Sequence, residues 1–383
     1  MSALCRTPAM LLTLIVAAGA AATPADAAVA PLWDHPGYDA EDSHHNPRET
    51  VINAGSIRSV TQKWQVSLRT SDQSCSGNST PVLSGGRIIV SDQLGISAYA
   101  AATGTFSWRY DWDDPGDSGT PRLAVSGGLV IVAGGDCNSQ SDPDGRLIAL
   151  DAGTGLPRWR QRLGSPVDSV VVDKNVIVIS GGSPSDEDVV AAFAVRDGRA
   201  LWSKDRFLSS EVSADGTLLV RATDGSGAPA GSSAGISIET GAVRWTREGV
   251  SWAAQAADPA GERFYVTDRA GLLSAVRVAD GTPGWTAAGT ENSLVAVDTT
   301  RIYRVNGTNV DALSVLDGKR LWTARQGVDG VQPVQAGGLL YAGGAVLDPA
   351  DGEVAGPDRP GQVIVAGGRI HQVRDAVLRS FGP

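Results

Sequence analysis

Six times along this chain a glycine is followed four residues later by a tryptophan: Gly104/Trp108, Gly155/Trp159, Gly198/Trp202, Gly241/Trp245, Gly281/Trp285 and Gly318/Trp322. A fuller copy reads Asp151-Ala152-Gly153-Thr154-Gly155-Leu156-Pro157-Arg158-Trp159. Trp64 is a seventh, partial copy without its glycine. Successive members from Trp64 to Trp322 lie 37 to 51 residues apart. A period of roughly 40 to 50 residues built from short strands is the mark of a propeller. One small four-stranded sheet cannot cover both its faces, whereas sheets stacked around an axis cover each other.

The segments between tryptophans also repeat. Thr80-Pro81-Val82-Leu83-Ser84-Gly85-Gly86-Arg87-Ile88-Ile89-Val90 is matched by 120–132, and each reads as strand, glycine hairpin and β-branched strand. A third strand follows (95–100; 146–150), and the glycine turn with its tryptophan strand makes four antiparallel strands per unit. No amphipathic helical pattern of useful length interrupts them. Beyond Trp322 come a unit at 331–345 with a degenerate turn, Asp348 to Gly352, and a last unit of three strands at 362–381. The strand missing from that last unit is expected from Val60 to Leu68, which carries the orphaned Trp64. The prediction is an all-β, eight-bladed propeller of four-stranded antiparallel blades closed by an N-terminal strand, with seven blades as the fallback.

Residues 1–30 read as a signal peptide. Arg6 precedes the apolar stretch Met10 to Ala22, and two small-x-small sites follow, Ala25-Asp26-Ala27 and Ala28-Val29-Ala30. The apolar stretch is too short for a membrane span. Cys5 lies before it, not after it, as lipid attachment would require. Residues 31–59 form a lead-in segment and 60–383 a single propeller domain. The expected product is secreted or periplasmic, without a membrane span, and monomeric. The formal charge of −10 argues against nucleic acid as a partner.

The repeat, Asp-x-x-Thr-Gly-x-x-x-Trp in its best copies, resembles the tryptophan-docking motif of the pyrroloquinoline-quinone-type β-propeller superfamily from about residue 60 onward. The run Asn46-Pro47-Arg48-Glu49-Thr50-Val51-Ile52-Asn53 is similar to the segment leading into the first blade of such proteins. The resemblance implies that Trp108, Trp159, Trp202, Trp245, Trp285 and Trp322 pack between adjacent blades, with Trp64 as a further member. It also implies two kinds of function. Catalytic members are quinone-dependent dehydrogenases of alcohols or sugars; they need an Asp base, a calcium held by carboxylate and amide ligands, and basic residues on the quinone oxygens. Their alcohol dehydrogenases carry adjacent cysteines, and this chain has no Cys-Cys pair. Non-catalytic members are interaction scaffolds, including an outer-membrane assembly lipoprotein whose lipid-bearing Cys is missing here. A shared fold does not choose between these roles.

In a propeller the loops joining strand four to the next strand one lie on the same face as those joining strands two and three. On that face fall Ser71 to Ser79, Asp113-Asp114-Pro115-Gly116-Asp117, Asp136 to Gly145, and Ser183 to Asp188. Asp113, Asp114, Asp117, Asp136, Asp186, Glu187 and Asp188 make it acidic and are the candidate ligand-face residues. Cys75 and Cys137 lie in its loops on neighbouring blades, and export favours a disulfide between them. Asp142 and Asp144 have some of the flavour of a calcium loop but lack the spacing and terminal Glu, so turn formation is the plainer reading. His44 and His45, near Asp34 and His35, offer a Zn or Cu site as the alternative to a segment that docks on the propeller. No Gly-x-Ser-x-Gly elbow, phosphate loop or His-Glu-x-x-His occurs. The expected function is a binding scaffold for a protein or glycan, without catalytic residues or cofactor. The alternative is a small dehydrogenase using pyrroloquinoline quinone with calcium.

Overall fold

The computed structural model describes residues 33–139, 141–289, 294–325 and 331–383; the expected signal peptide lies outside them. Eight antiparallel sheets follow one another along the chain. Blade 1 spans 82–111, blade 2 122–163, blade 3 169–205, blade 4 207–248, blade 5 253–287, blade 6 294–324 and blade 7 334–356. Blade 8 takes three strands from 363–382 and its outermost from Thr61–Ser67, which pairs antiparallel with Val377–Gly382. The first strands of consecutive blades touch, so they line the axis while the tryptophan strands form the rim. The eight-bladed expectation holds, including closure by the strand bearing Trp64. That closure pairs two edges that would otherwise template aggregation.

The glycine and the tryptophan of one motif serve different joints. Trp108 donates its indole N–H to the Ala152 carbonyl of the next blade at 3.0 Å, and its ring lies against the turn glycine Gly155 of that blade. The same pairing joins Trp64 to Ala101 and Gly104, Trp159 to Val195 and Gly198, and Trp202 to Ile238 and Gly241. It continues with Trp245 on Val278 and Gly281, Trp285 on Val315 and Gly318, and Trp322 on Pro349 and Gly352. At these glycines φ is +67 to +80°, and an added Cβ would lie 2.4–2.8 Å from the indole. Both the backbone conformation and the ring contact therefore demand glycine.

The joint between blades 7 and 8 departs from this rule. Gly356 stands four residues after Gly352, where a tryptophan would be expected, and Ile57 fills the space: a Cβ on Gly356 would lie 2.7 Å from its Cγ1. Ile52 and Ile57 are fully buried there among Val334, Leu339, Val346, Ile364 and Ile370. Glu49 fixes the approach, accepting from the amides of Val51 and Ile52 and from Gly368 of blade 8.

Residues 33–46 run around the axis and touch every blade in order. Leu83 of blade 1 donates to the Trp33 carbonyl at 2.8 Å, and Val125 of blade 2 to Asp34 at 2.7 Å. His35 Nε2 lies 2.8 Å from the Val172 carbonyl of blade 3. Ser213, Ala257, Val297 and Gln335 of blades 4 to 7 donate to Ala40, Glu41, Ser43 and His44 at 2.7–2.9 Å. His45–Asn46 pairs parallel with blade 7, and Asn46 Nδ2 donates to Val365 of blade 8 at 2.8 Å. Innermost strands are sheet edges with spare N–H groups, and a buried donor must find an acceptor. The segment supplies those acceptors. Its tight path needs left-handed φ at Tyr38, Asp42 and His44 (+87, +50 and +51°).

Candidate functional site

The encircling contacts fall at the ends of the inner strands nearest the strand-one to strand-two hairpins. The segment thus floors the axis on that side and leaves a funnel toward the acidic-loop side. This funnel, about 380 Å³, is lined mostly by residues at or just before the start of the inner strands, with Gln255 and Glu211 inside theirs. Thr80, Arg122, Asp168, Glu211, Gln255, Leu294, Gln332 and Gln362 come one from each blade in turn, and Asp42 and His44 rise from the floor.

Its chemistry is mixed but acid-rich. Arg122 of blade 2 reaches across to Glu211 of blade 4 and forms an ion pair. Burial raises the Glu211 carboxyl, with Arg122 opposing. Gln255 donates its amide to Thr267 at 2.9 Å and Gln332 to the Val295 carbonyl at 2.6 Å, which leaves their side-chain carbonyls as acceptors. His44 is 6% exposed, lies 3.5 Å from Asp42 through Nε2, and has no partner for the buried Nδ1. Around the floor, burial pushes Asp39 up to about 6. Burial, then the nearby Asp39 charge, pushes Glu41 up to about 7.

The acidic loop residues separate into two groups. Asp113, Asp114, Asp117 and Asp136 line a groove of about 360 Å³ between blades 1 and 2, with Tyr110 and Trp112 behind them. Most are engaged there. Asp113 meets Arg160 at 3.2 Å, Asp136 meets Arg146 at 2.6 Å, and Asp117 accepts from the amides of Cys137 and Asn138. Asp114 accepts from the Gly116 amide. Asp186, Glu187 and Asp188 sit instead where blade 3 meets blade 4. Asp186 accepts from Ser183, Glu187 pairs with Arg206 at 3.1 Å, and buried Asp188 accepts from Thr223 and Gly227 at 2.6 Å each. Cys75 and Cys137 form a disulfide across 62 residues, pinning the loops of blades 1 and 2.

Asp142 accepts from Ser185 at 2.9 Å, and the Asp144 carbonyl accepts from Asp136 N. Among the described residues no three His, Cys, Asp or Glu side chains converge as a cation site. His35, His44 and His45 are all buried in the encircling segment, and their neighbours are the inner strands. Pyrroloquinoline quinone carries three carboxylates, so a cradle for it must be basic. Among the described residues Arg122 is the funnel's one guanidinium and is committed to Glu211, while Asp42 and Asp168 add further negative charge. This lining does not fit the quinone.

The loop spacing in the sequence pointed to the acidic rim and not to the funnel. One signal was available: Thr80-Pro81, Thr120-Pro121 and Gln332-Pro333 mark equivalent entries into inner strands, so their neighbours face the axis.

Comparison with known proteins bears on the family and the fold. A family model described as outer membrane protein assembly factor BamB matches residues 94–258 and 234–375. A quinohemoprotein alcohol dehydrogenase (ADH IIB) of Pseudomonas putida is 29% identical over 160 residues, 39% of this chain and 23% of that protein. Outer membrane protein assembly factor BamB of Burkholderia pseudomallei is 27% identical over 180 residues, 44% of each. The chain thus spans less than half the length of these curated relatives. The crystal structure of BamB from Moraxella catarrhalis superposes with a TM-score of 0.59 at 17% identity, covering 85% of this chain and 98% of that one, which is a likeness of fold. By its family-model match and its repeated tryptophan joints, the chain belongs to the pyrroloquinoline-quinone-type β-propeller family that carries the BamB description.

Proposed function

We propose that this protein is an exported, non-enzymatic binding scaffold that engages a partner protein through its acidic loop face, with the axial funnel at the centre of that face. The observation that carries the reading is the funnel itself. Eight blades converge on one cavity, seven of them with polar side chains, and its other end is floored by the protein's own chain. Loops on a rigid frame are where recognition usually resides, and here a disulfide fixes two of them. The similarity to outer membrane assembly factors supports a binding role. A glycan is the lesser choice, because among the described residues no Phe, Tyr or Trp lines the funnel as a stacking platform.

Photo-crosslinkers at positions 113 and 186 on the loop face, and at 156 and 316 on the opposite face, test this in the intact cell envelope. Adducts to one protein from the loop face alone are expected; adducts confined to the opposite face would refute it. The similarity to a quinohemoprotein alcohol dehydrogenase keeps a second reading in view. Incubation with pyrroloquinoline quinone and calcium, followed by a dye-linked assay on alcohols and aldoses, decides it, and no turnover is expected.

A further inference from the structure

We infer that the axial funnel is a receptor for a guanidinium or ammonium group, an arginine or lysine side chain presented by a protein partner at the loop face. This rests on the loop-face reading above and names the chemistry of its centre.

The argument begins with which valences are free. Arg122, the funnel's guanidinium, is neutralised within the site by Glu211. Asp168 and Asp42 line the same cavity without a paired arginine or lysine among the described residues, so the lining carries surplus negative charge. The carbonyl oxygens of Gln255 and Gln332 are acceptors, since their amide nitrogens are already used.

The floor adds an independent observation. His44 is more than nine-tenths buried, lines the cavity, and presents a buried Nδ1 that no protein group meets. A buried polar atom without a partner is costly and calls for an occupant. With Nε2 facing Asp42 at 3.5 Å, Nδ1 is the ring nitrogen left without a partner. A site rich in carboxylates and acceptors suits a ligand that only donates. Guanidinium and ammonium groups are the permanently cationic side chains that donate without accepting. Desolvated charge-assisted hydrogen bonds of this kind are about twice as strong as neutral ones. The overall charge of −10 would also steer a basic partner toward this protein.

The test uses the full chain and a tetra-arginine amide peptide in titration calorimetry, with tetra-glutamate and spermidine as parallel probes. The arginine peptide should bind, with affinity falling as salt rises. Asp168→Asn should weaken it tenfold or more, whereas Asp197→Asn, in a strand-three to strand-four turn on the opposite face, should change it less than threefold. A hydrogen-exchange footprint on the unsubstituted protein gives a readout independent of variant folding. Protection at 122–126, 210–214 and 332–336 is expected. Binding that is unchanged in Asp168→Asn, or a footprint on the rim alone, would overturn the funnel while leaving the loop face as the docking side. Tighter binding of tetra-glutamate, or spermidine binding as well as the peptide, would overturn the assigned chemistry or its protein source. Failure of every probe to bind overturns the inference, and the crosslinking result then decides the loop-face reading separately.

Discussion

The rim and the axis of this propeller are built by opposite means. At the rim, seven joints repeat one device, an indole from one blade laid on a turn glycine of the next, and the chain writes that device out again for each joint. At the axis a single non-repeating segment, residues 33–46, meets all eight blades in order. The rim yields a rigid ring that is indifferent to which joint is inspected. The axis yields one asymmetric floor and, above it, a funnel whose side chains differ from blade to blade. Repetition builds the frame, and departure from repetition builds the site.

The comparison is broken most directly by removing an indole. Trp108→Ala should cost about 3–5 kcal/mol, because a buried ring and its inter-blade hydrogen bond are both lost. Urea melts should show it, while affinity for the arginine peptide per folded molecule stays unchanged. Replacing Cys75 and Cys137 by Ser should cost about 2–4 kcal/mol, by releasing a 62-residue closure in the unfolded chain. Gly155→Ala should cost about 1–3 kcal/mol through its left-handed φ and the indole beneath it. If it proved neutral in thermal melts, the glycine would matter only for turning.

A smaller effect separates the two regions by sign. Asp39 and Glu41, on the floor, are raised above their ordinary values of 3.8 and 4.5 to about 6 and about 7. The folded state holds their protons more tightly, so their contribution is full below about pH 4 and is lost as pH rises toward 7. His371, buried at the closing blade beside Trp64, is lowered from 6.5 to about 3 by burial and by Arg369. Its contribution is full above 6.5 and is lost as pH falls toward 3. Asp39→Asn with Glu41→Gln should therefore flatten the loss between pH 4.5 and 7.5, and His371→Gln the loss below pH 6. Denaturant melts across that range check both.

Rim and axis also differ in how far the sequence reveals them. The Gly-to-Trp spacing exposes the blades, their order and the donor of the closing strand, because each motif must satisfy the same stacking contact. Even the degenerate unit without a tryptophan is recognisable by its strands, although Ile57, which replaces the indole at Gly356, carries no periodic signal. The disulfide follows from loop placement on adjacent blades. The funnel is different. Arg122 and Glu211 are 89 residues apart and meet across the axis, where no local pattern links them. Residues 33–46 hold their course by backbone hydrogen bonds and three left-handed non-glycine residues, and composition does not register either feature. The acids at 113–117 and 186–188 look alike in sequence yet fall at different blade joints, because adjacent blades carry their loops to different neighbours.

The claim that one segment closes the axis and thereby makes the site is tested most directly by amide hydrogen exchange at Leu83, Val125, Ser213, Ala257, Val297 and Gln335. These amides donate to residues 33–44 and should exchange as slowly as the blade-internal amides of the same sheets. Rapid exchange at these six positions, with the blades otherwise protected, would mean that the axis is open and the account is wrong.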